Sequence, residues 1–465
     1  MTTATGPWSP VWPAAKSEAH RAAAPRAAVV ALALGLASAY VIPEGVPGLG
    51  LVLLGFLGAG ALRWLHGKPV RGWQLAHAIT GLLLLACVVW RDAAWVLVFD
   101  VMAAFAAGSI ALAPAATWAG VIRGAVLTSV VVPLSGGWLG RGVQRLVSRR
   151  AVGSHVARGV ALSAALLLVF TPLLASADSH FRHVLDAITP TLPDLGLLPA
   201  RTVLFVIASL GVAAGIRVLQ SPPSELVLPE PRRTLAKRSE WLLPLLVLTA
   251  LLAAFVITQL VEVAQGSSHV VNTAGLTYAS YAHAGFFQLI AVTALLMVVI
   301  AASVRWAPQA ARPWLGALVV LAVCVDASAL LRLHLYADAY GLTRLRIAAT
   351  TGSLWLAVVI LLVAVAALTN ARWLPNAVVL SAALTLLSLT AYNPDARIAA
   401  SQLRLTSPDI GYLGSLSADA ADQLASSGLT GSGCLLAGFR ESDGGPWTSF
   451  NLARHHAAQV ARRGC

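Results

Sequence analysis

AATWAGVIRGAVLTSVVVPLSGGWLGRGVQRLVSRR, residues 115–150, decides the fold, because counting it as a membrane crossing reverses the orientation of everything downstream. Its first half, Ala115 to Leu134, is apolar enough to span, whereas its second half carries Arg141, Arg145, Arg149 and Arg150, with Arg158 just beyond. On either side lie nearly uncharged runs of the length that crosses a ~30 Å hydrocarbon core as a helix. They fall at about 27–42, 49–65, 75–90, 94–113, 160–175, 201–219, 241–261, 285–304, 314–333, 351–368 and 374–391, eleven in all. The chain of 465 residues is 58% hydrophobic and 11% charged, where a soluble domain is roughly a quarter charged. So much apolar surface has no place to hide in water. In lipid, backbone polar groups must be satisfied within the segment, which selects helices, and the Leu/Ala/Val runs lack the dyad alternation of a transmembrane barrel.

Loop charge arbitrates the orientation, since Lys and Arg accumulate on the cytoplasmic side. With the N-terminus inside and eleven spans, the inside segments hold Lys16, Arg21 and Arg26; Lys68 and Arg71; the long 114–159 segment; Arg232, Arg233, Lys237 and Arg238; Arg305 and Arg312; and Arg372. The outside loops hold Glu44, Arg91 with Asp92, an acidic 176–200 loop, and Glu262. If Ala115 to Leu134 crossed, this asymmetry would invert on one side of it. Trp118 to Val147 therefore reads as helix lying in, or dipping into, the cytoplasmic interface, anchored by Trp118 and Trp138, with Arg141 and Arg145 one turn apart on its polar face. A twelfth span with Arg123 snorkelling stays as the alternative. The net charge of +13 belongs to these loops, so it points to anionic lipid and not to nucleic acid.

The resulting organisation is an all-α polytopic transmembrane bundle of eleven spans, or twelve. It has a disordered cytoplasmic N-tail (1–26), four spans (27–113), the basic interfacial segment (114–159), seven further spans (160–392) and a soluble, helical, extracytoplasmic tail (393–465). Arg21 and Arg26 before a run reaching Ala37-Ser38-Ala39 have the outline of a signal peptide, but the run continues to Ile42, which favours an uncleaved first span. The expected location is the bacterial cytoplasmic membrane, N-terminus inside and C-terminus outside. Cys87 and Cys324 lie in spans and read as small apolar side chains. Cys434 and Cys465 lie in the tail, where either a disulfide or two free thiols fits.

Five segments occur in order: TYASYAHAGFFQL (277–289), LRLHLYADAYGLTRLR (331–346), NPDARIA (393–399), DIGYLGSLSADA (409–420) and WTSFNLAR (447–454). Together they resemble the bacterial integral-membrane family catalogued as domain of unknown function 4173, from about the second span to the C-terminus. The resemblance implies a many-span membrane protein and brings no activity, cofactor or catalytic residue with it. Cys434 and Cys465 stand outside its pattern.

The stretch 331–346 is the richest in chemistry. Helical spacing puts Arg332, Tyr336 and Tyr340 on one face and His334 with Asp338 on the next, while Gly341 can end the helix and Arg344 open its successor. Arginine binds carboxylate or phosphate bidentately and tyrosine donates from an apolar wall, so Arg332, Tyr336, Asp338, Tyr340 and Arg344 form a candidate outer-face site for an anion or headgroup. The competing reading is a structural clasp, with Arg332 and Arg344 pairing to Asp338 or to helix-end carbonyls. Asp100 and Asp326 sit deep in spans, where a carboxyl is costly unless paired or protonated; they are candidates for a polar relay, which His77, Gln259, Glu262 and Gln288 would extend, or else neutral hydrogen-bonding groups.

His180 and His183 with Asp178 and Asp186 have only weak zinc-ligand spacing. Ser135 to Gly142 shares the glycines of a phosphate-cradling loop but lacks its preceding strand and its Lys-Ser/Thr. No metal or cofactor is predicted, and the commonest hydrolase, metalloprotease and thioredoxin-like motifs are missing, which leans away from an enzyme. Three classes remain: an envelope accessory, sensor or scaffold protein that engages membrane lipids, a lipid headgroup or an envelope protein; a proton- or cation-coupled transporter using Asp100 and Asp326; and a membrane transferase with Asp338 as base and Arg344 as phosphate clamp.

Overall fold

The computed structural model describes residues 23–42, 46–148, 197–222, 237–265, 286–306, 308–369, 371–427, 436–440 and 444–463, with isolated positions between 159 and 184. Among these residues every regular element is helical. Nine helices among the described residues are long and apolar enough to cross a membrane, or ten if one bent pair counts as a span. The chain is therefore a membrane protein made of many apolar helices. It divides into two compact units, the first comprising 1–92, 97–226 and 439–458, the second 93–96, 227–438 and 459–465.

The first unit contains α1 (Pro25–Val41), α2 (Leu49–His66), α3 (Trp73–Trp90), most of α4 (Ala94–Leu112), α5 (Trp118–Val131), α6 (Ser135–Ser148) and α7 (Leu198–Gln220). Its packing rests on small residues, as expected where lipid gives no hydrophobic drive between helices. Ala27, Ala31 and Gly35 recur every four positions along α1, and the first two are fully buried against Ala213 and Ile216 of α7. A Cβ at Gly35 would overlap Ser209 Oγ and lie 3.0 Å from the Phe205 carbonyl. Between α4 and α5, Ser109 Oγ donates to the Gly124 carbonyl at 2.5 Å and lies 2.8 Å from Thr128 Oγ1, all of it buried.

Residues 118–148, expected to be helix in or dipping into the interface with a bend at Ser135 to Gly142, form two helices that break just before that stretch. α5 and α6 meet at a 54° bend. Pro133 has no N–H to donate and disfavours helix in the residue before it, and the carbonyls freed at the bend find other donors. Ser135 Oγ donates to Val131 O at 2.9 Å and Arg217, 2% exposed, to Leu134 O at 2.6 Å. Trp138, expected as an interfacial anchor, is instead buried with Leu139 against α1 and α7. The expected first span is the 17-residue α1, one residue shorter than the shortest of the nine long helices, and the expected span at 160–175 falls largely outside the described residues.

The second unit holds α8 (Arg238–Gln265), α9 (Phe286–Trp306), α10 (Arg312–Tyr340), α11 (Arg344–Leu368) and α12 (Leu374–Tyr392), followed by α13 (Pro394–Gln402), α14 (Ile410–Gly414) and α15 (Ala421–Ala425). Its core is layered from Trp241, Leu245 and Leu252 of α8, Leu296 and Ile300 of α9, Leu318, Ala322 and Val325 of α10, and Ile360 of α11. α16 (Leu452–Arg463) closes the described chain. Of the described residues after 392, those up to 438 and those from 459 on fall in the second unit and those from 439 to 458 in the first.

Candidate functional site

α10 has 29 residues, about 43 Å at 1.5 Å per residue, against a hydrocarbon core of ~30 Å. With its apolar residues 314–333 in that core, the turns from His334 to Tyr340 stand clear of it. Gly341 stops the helix with φ +73°, a conformation that costs a residue with a Cβ but not glycine. Thr343 opens α11, its Oγ1 accepting from the Arg346 N–H at 3.3 Å. The Leu342 backbone between them is pinned from α13: its N–H donates to Ser401 Oγ at 2.9 Å and its carbonyl accepts from Gln402 Nε2 at 2.8 Å.

The residues expected to share a site are dealt to separate partners. Tyr336 and Tyr340 do meet, their rings tilted at 49° with centroids 5.2 Å apart. The cation over Tyr336 is Arg346, 4.1 Å from the ring centroid, and its guanidinium also donates to the Tyr340 and Gly341 carbonyls. Arg332 donates to Gln259 Oε1 of α8 at 2.6 Å, an oxygen that also accepts from Ser328 Oγ at 2.9 Å. Asp338 meets His334 at 3.5 Å, the two side chains 65% and 72% exposed. Arg344 pairs with Asp395 at 3.1 Å and donates to the Ser415 carbonyl at 2.7 Å.

Asp395, which sequence reasoning missed, is the hub of this end of the second unit. It lies in the first turn of α13, behind Asn393, whose φ of 55° and side-chain oxygen cap the helix. Its Oδ1 accepts from Trp95 Nε1 at 2.9 Å, and its Oδ2 accepts from Arg344 and from the Ser417 N–H at 2.9 Å. The residue is fully buried. Burial by itself pushes the carboxyl up, but the Arg344 guanidinium, the Trp95 indole and the Ser417 amide outweigh it and hold the group below the usual carboxylate range. Beside it Asp419 accepts from the Ala93 N–H at 2.9 Å and from Ser417 Oγ at 3.2 Å. The one local signal was an acid placed right after an apolar run, in the turn Asn393-Pro394-Asp395. Its partners are too distant in sequence to be inferred.

Inside the apolar layers, Asp326 of α10 is 1% exposed and accepts from Ser353 Oγ of α11 at 2.7 Å. Asp100 of α4 is also fully buried, in the first unit. Neither unit by itself brings the two carboxyls together. Ser135 to Gly142 is part of α6, a helix and not a phosphate loop. Cys434, Cys465, His180, His183 and the Glu262 side chain lie outside the described residues, and no cluster of three or more His, Cys, Asp or Glu suited to a metal occurs among those described.

In the first unit the ends of α2 and α3 are tied to residues 448–454. The Leu49 N–H donates to Phe450 O at 2.9 Å, and Asn451 Nδ2 donates to the Val88 and Arg91 carbonyls at 2.8 and 2.7 Å. Arg454 pairs with Asp92 at 3.1 Å and donates to the Pro47 and Ser449 carbonyls. Arg454 itself is 8% exposed, and truncating it takes a charged donor from three partly covered acceptors at once. Arg454→Ala is expected to cost about 3 kcal/mol and to make residues 444–463 the first site of limited proteolysis in detergent.

No curated protein and no solved structure matches the chain. A family model matches residues 78–427, about three quarters of the chain, and it is not that of family 4173, so the resemblance read from the five ordered segments is corrected. Short Leu-, Ala- and Tyr-rich pieces at helix ends are shared by many polytopic proteins, so their order identifies the class and not the family. The chain belongs to the family described as Domain of unknown function (DUF4153).

Proposed function

We propose that the protein is an accessory protein of the bacterial cell envelope, a scaffold or sensor held in the cytoplasmic membrane whose exposed α10–α11 junction meets a lipid headgroup or an envelope protein. The observation that carries this reading is how the cations at that junction are used. Arg332 and Arg344, which a substrate site would need, are committed to Gln259 and to Asp395. The groups left facing outward are His334, Asp338 and Tyr340, a set suited to contact and not to chemistry. A transferase with Arg344 as phosphate clamp has correspondingly little support.

The reading includes a topology: eleven crossings, N-terminus inside, residues 393–465 outside. Two features of the first unit support it. Ala113, at the end of α4, packs with Val218 near the end of α7, and Trp138 of α6 packs with Ile216 of that same end. The α5–α6 pair thus enters and leaves at one end, as a re-entrant segment does. Residues 448–454 dock at the opposite end of α2 and α3, away from the basic loops.

A transporter is the second reading, favoured by Asp326–Ser353 and Gln259–Ser328–Arg332 lying within the apolar part of one unit. One pair of experiments separates the two. A photo-crosslinker at Tyr340 in intact membranes is expected to give a discrete lipid or protein adduct that His334→Ala/Asp338→Ala weakens. Proton and cation flux in vesicles is expected to be nil for the wild type. A flux abolished by Asp326→Asn, with no adduct at Tyr340, would replace the scaffold by the transporter.

A further inference from the structure

Residues 446–452 form a short docked segment of the first unit whose side chains point two ways. The Pro446 carbonyl accepts from the Ser449 N–H at 2.9 Å and from Ser449 Oγ at 2.7 Å, closing a single turn. That turn sends Thr448 and Asn451 inward, both buried, and leaves Trp447, Phe450 and Leu452 outward, 61%, 37% and 49% exposed. The inward side is tightly seated. A Cβ at Gly48 would lie 2.6 Å from the Ser449 and Phe450 carbonyl oxygens, and Asn451 and Arg454 grip the ends of α2 and α3. The three outward side chains are therefore fixed in place and cannot turn in.

The seat also fixes their depth. α2 and α3 have 18 residues each, about 27 Å at 1.5 Å per residue, close to the ~30 Å of the hydrocarbon core, so their ends lie at its boundary. The segment bonds to Leu49, the first residue of α2, and to Val88 and Arg91 at the end of α3. Its neighbours at that level are exposed and apolar too: Val46 precedes α2, and Trp90 ends α3 with the Arg91 guanidinium 4.4 Å from its ring centroid. Beyond them the outer side of α2 continues with Leu53, Phe56 and Leu57 exposed. At such a boundary an indole keeps its ring in apolar surroundings and its N–H among polar headgroups.

We propose that residues 447–452 are an interfacial anchor, with Trp447, Phe450 and Leu452 inserted at the headgroup–acyl boundary of the bilayer that surrounds α2 and α3. The lipid contact and the grip of Asn451 and Arg454 then belong to one segment, so insertion also holds the ends of the two helices together. The anchor is separate from the α10–α11 junction, stands independently of the function proposed for it, and holds whichever side of the membrane this end faces.

The test is electron spin resonance on the full chain in phosphatidylcholine nanodiscs, with a nitroxide on Trp447→Cys, Phe450→Cys or Leu452→Cys and the four native cysteines replaced by alanine. Collisions with oxygen, which concentrates in lipid, are expected to exceed those with a water-soluble nickel chelate several-fold at all three sites, at a depth of ~5–10 Å. A benzophenone crosslinker in place of Trp447, in the chain with its cysteines intact, is expected to give a phospholipid adduct in native membranes, and this arm does not depend on the cysteine-free variant folding. Nickel reaching all three labels as freely as oxygen puts the segment in water and overturns the proposal. So does exclusion of both reagents together with a protein adduct, which assigns the face to a second copy if the adduct has twice the mass of the chain and to another protein if it does not.

Discussion

Asp395→Ala is expected to destabilise the second unit by about 3 kcal/mol, the lower part of the range for breaking a buried pair, because Arg344 is 33% exposed and water softens its loss. Three donors lose their acceptor at once: the Arg344 guanidinium, the Trp95 indole and the Ser417 amide. Unfolding of the detergent-solubilised protein measures the loss, and a cycle with Arg344→Ala isolates the coupling between the two. Asp338→Ala is the contrast. Its pair with His334 is solvated on both sides, so its removal costs under about 1 kcal/mol. Acid separates them too. The Asp395 carboxyl lies below its ordinary value in the folded protein, so its contribution is complete above about pH 4 and is lost only as the pH falls through the lower folded value. A destabilisation already present between pH 5 and pH 6 must come from other groups.

The second large effect is expected at Gly35. Gly35→Val sets a branched side chain against Ser209 Oγ and the Phe205 carbonyl, and α1 cannot keep its distance from α7. The cost belongs at the upper end of the ~1–3 kcal/mol seen for overpacking, read as a fall in melting temperature. Gly58→Val, at a position with nothing within 4 Å, is expected to be nearly silent. Ser209→Ala is expected to return part of the stability lost by Gly35→Ala, because the hydroxyl is the first atom in the way. The Phe205 carbonyl remains, so the rescue stays incomplete.

How legible the fold was depends on how local each cause is. Long apolar runs report themselves, and the end of α10 at Gly341 and the capped start of α11 were readable from residue type alone. The bend between α5 and α6 was half-readable. Pro133 marks it, but that a break there is stable depends on Arg217, a residue far along the chain whose basic character suggests a loop. Trp138 failed for the same reason, since an aromatic near arginines has an interfacial look until α1 and α7 are known to cover it. The candidate site was the least legible. Spacing correctly put Tyr336 and Tyr340 on one face, yet no periodicity links Arg344 to Asp395 or Asp395 to Trp95. Each arginine of the stretch found its partner on another helix or at a helix end, and those choices are made by tertiary packing.

Residues 439–458 belong to the unit whose other members all precede residue 227. The ends of α2 and α3 therefore wait, during synthesis, for Asn451 and Arg454 to emerge long after those helices have entered the lipid. Until then the Val88 and Arg91 carbonyls and the Asp92 carboxylate stand without these donors. The interval is a window for surveillance: a nascent chain stalled or cut short beyond the helices carries an unfinished end that a membrane protease can recognise. Arg454→Ala should reproduce that state in a full-length protein, and its turnover in cells would then report on quality control and not on any activity.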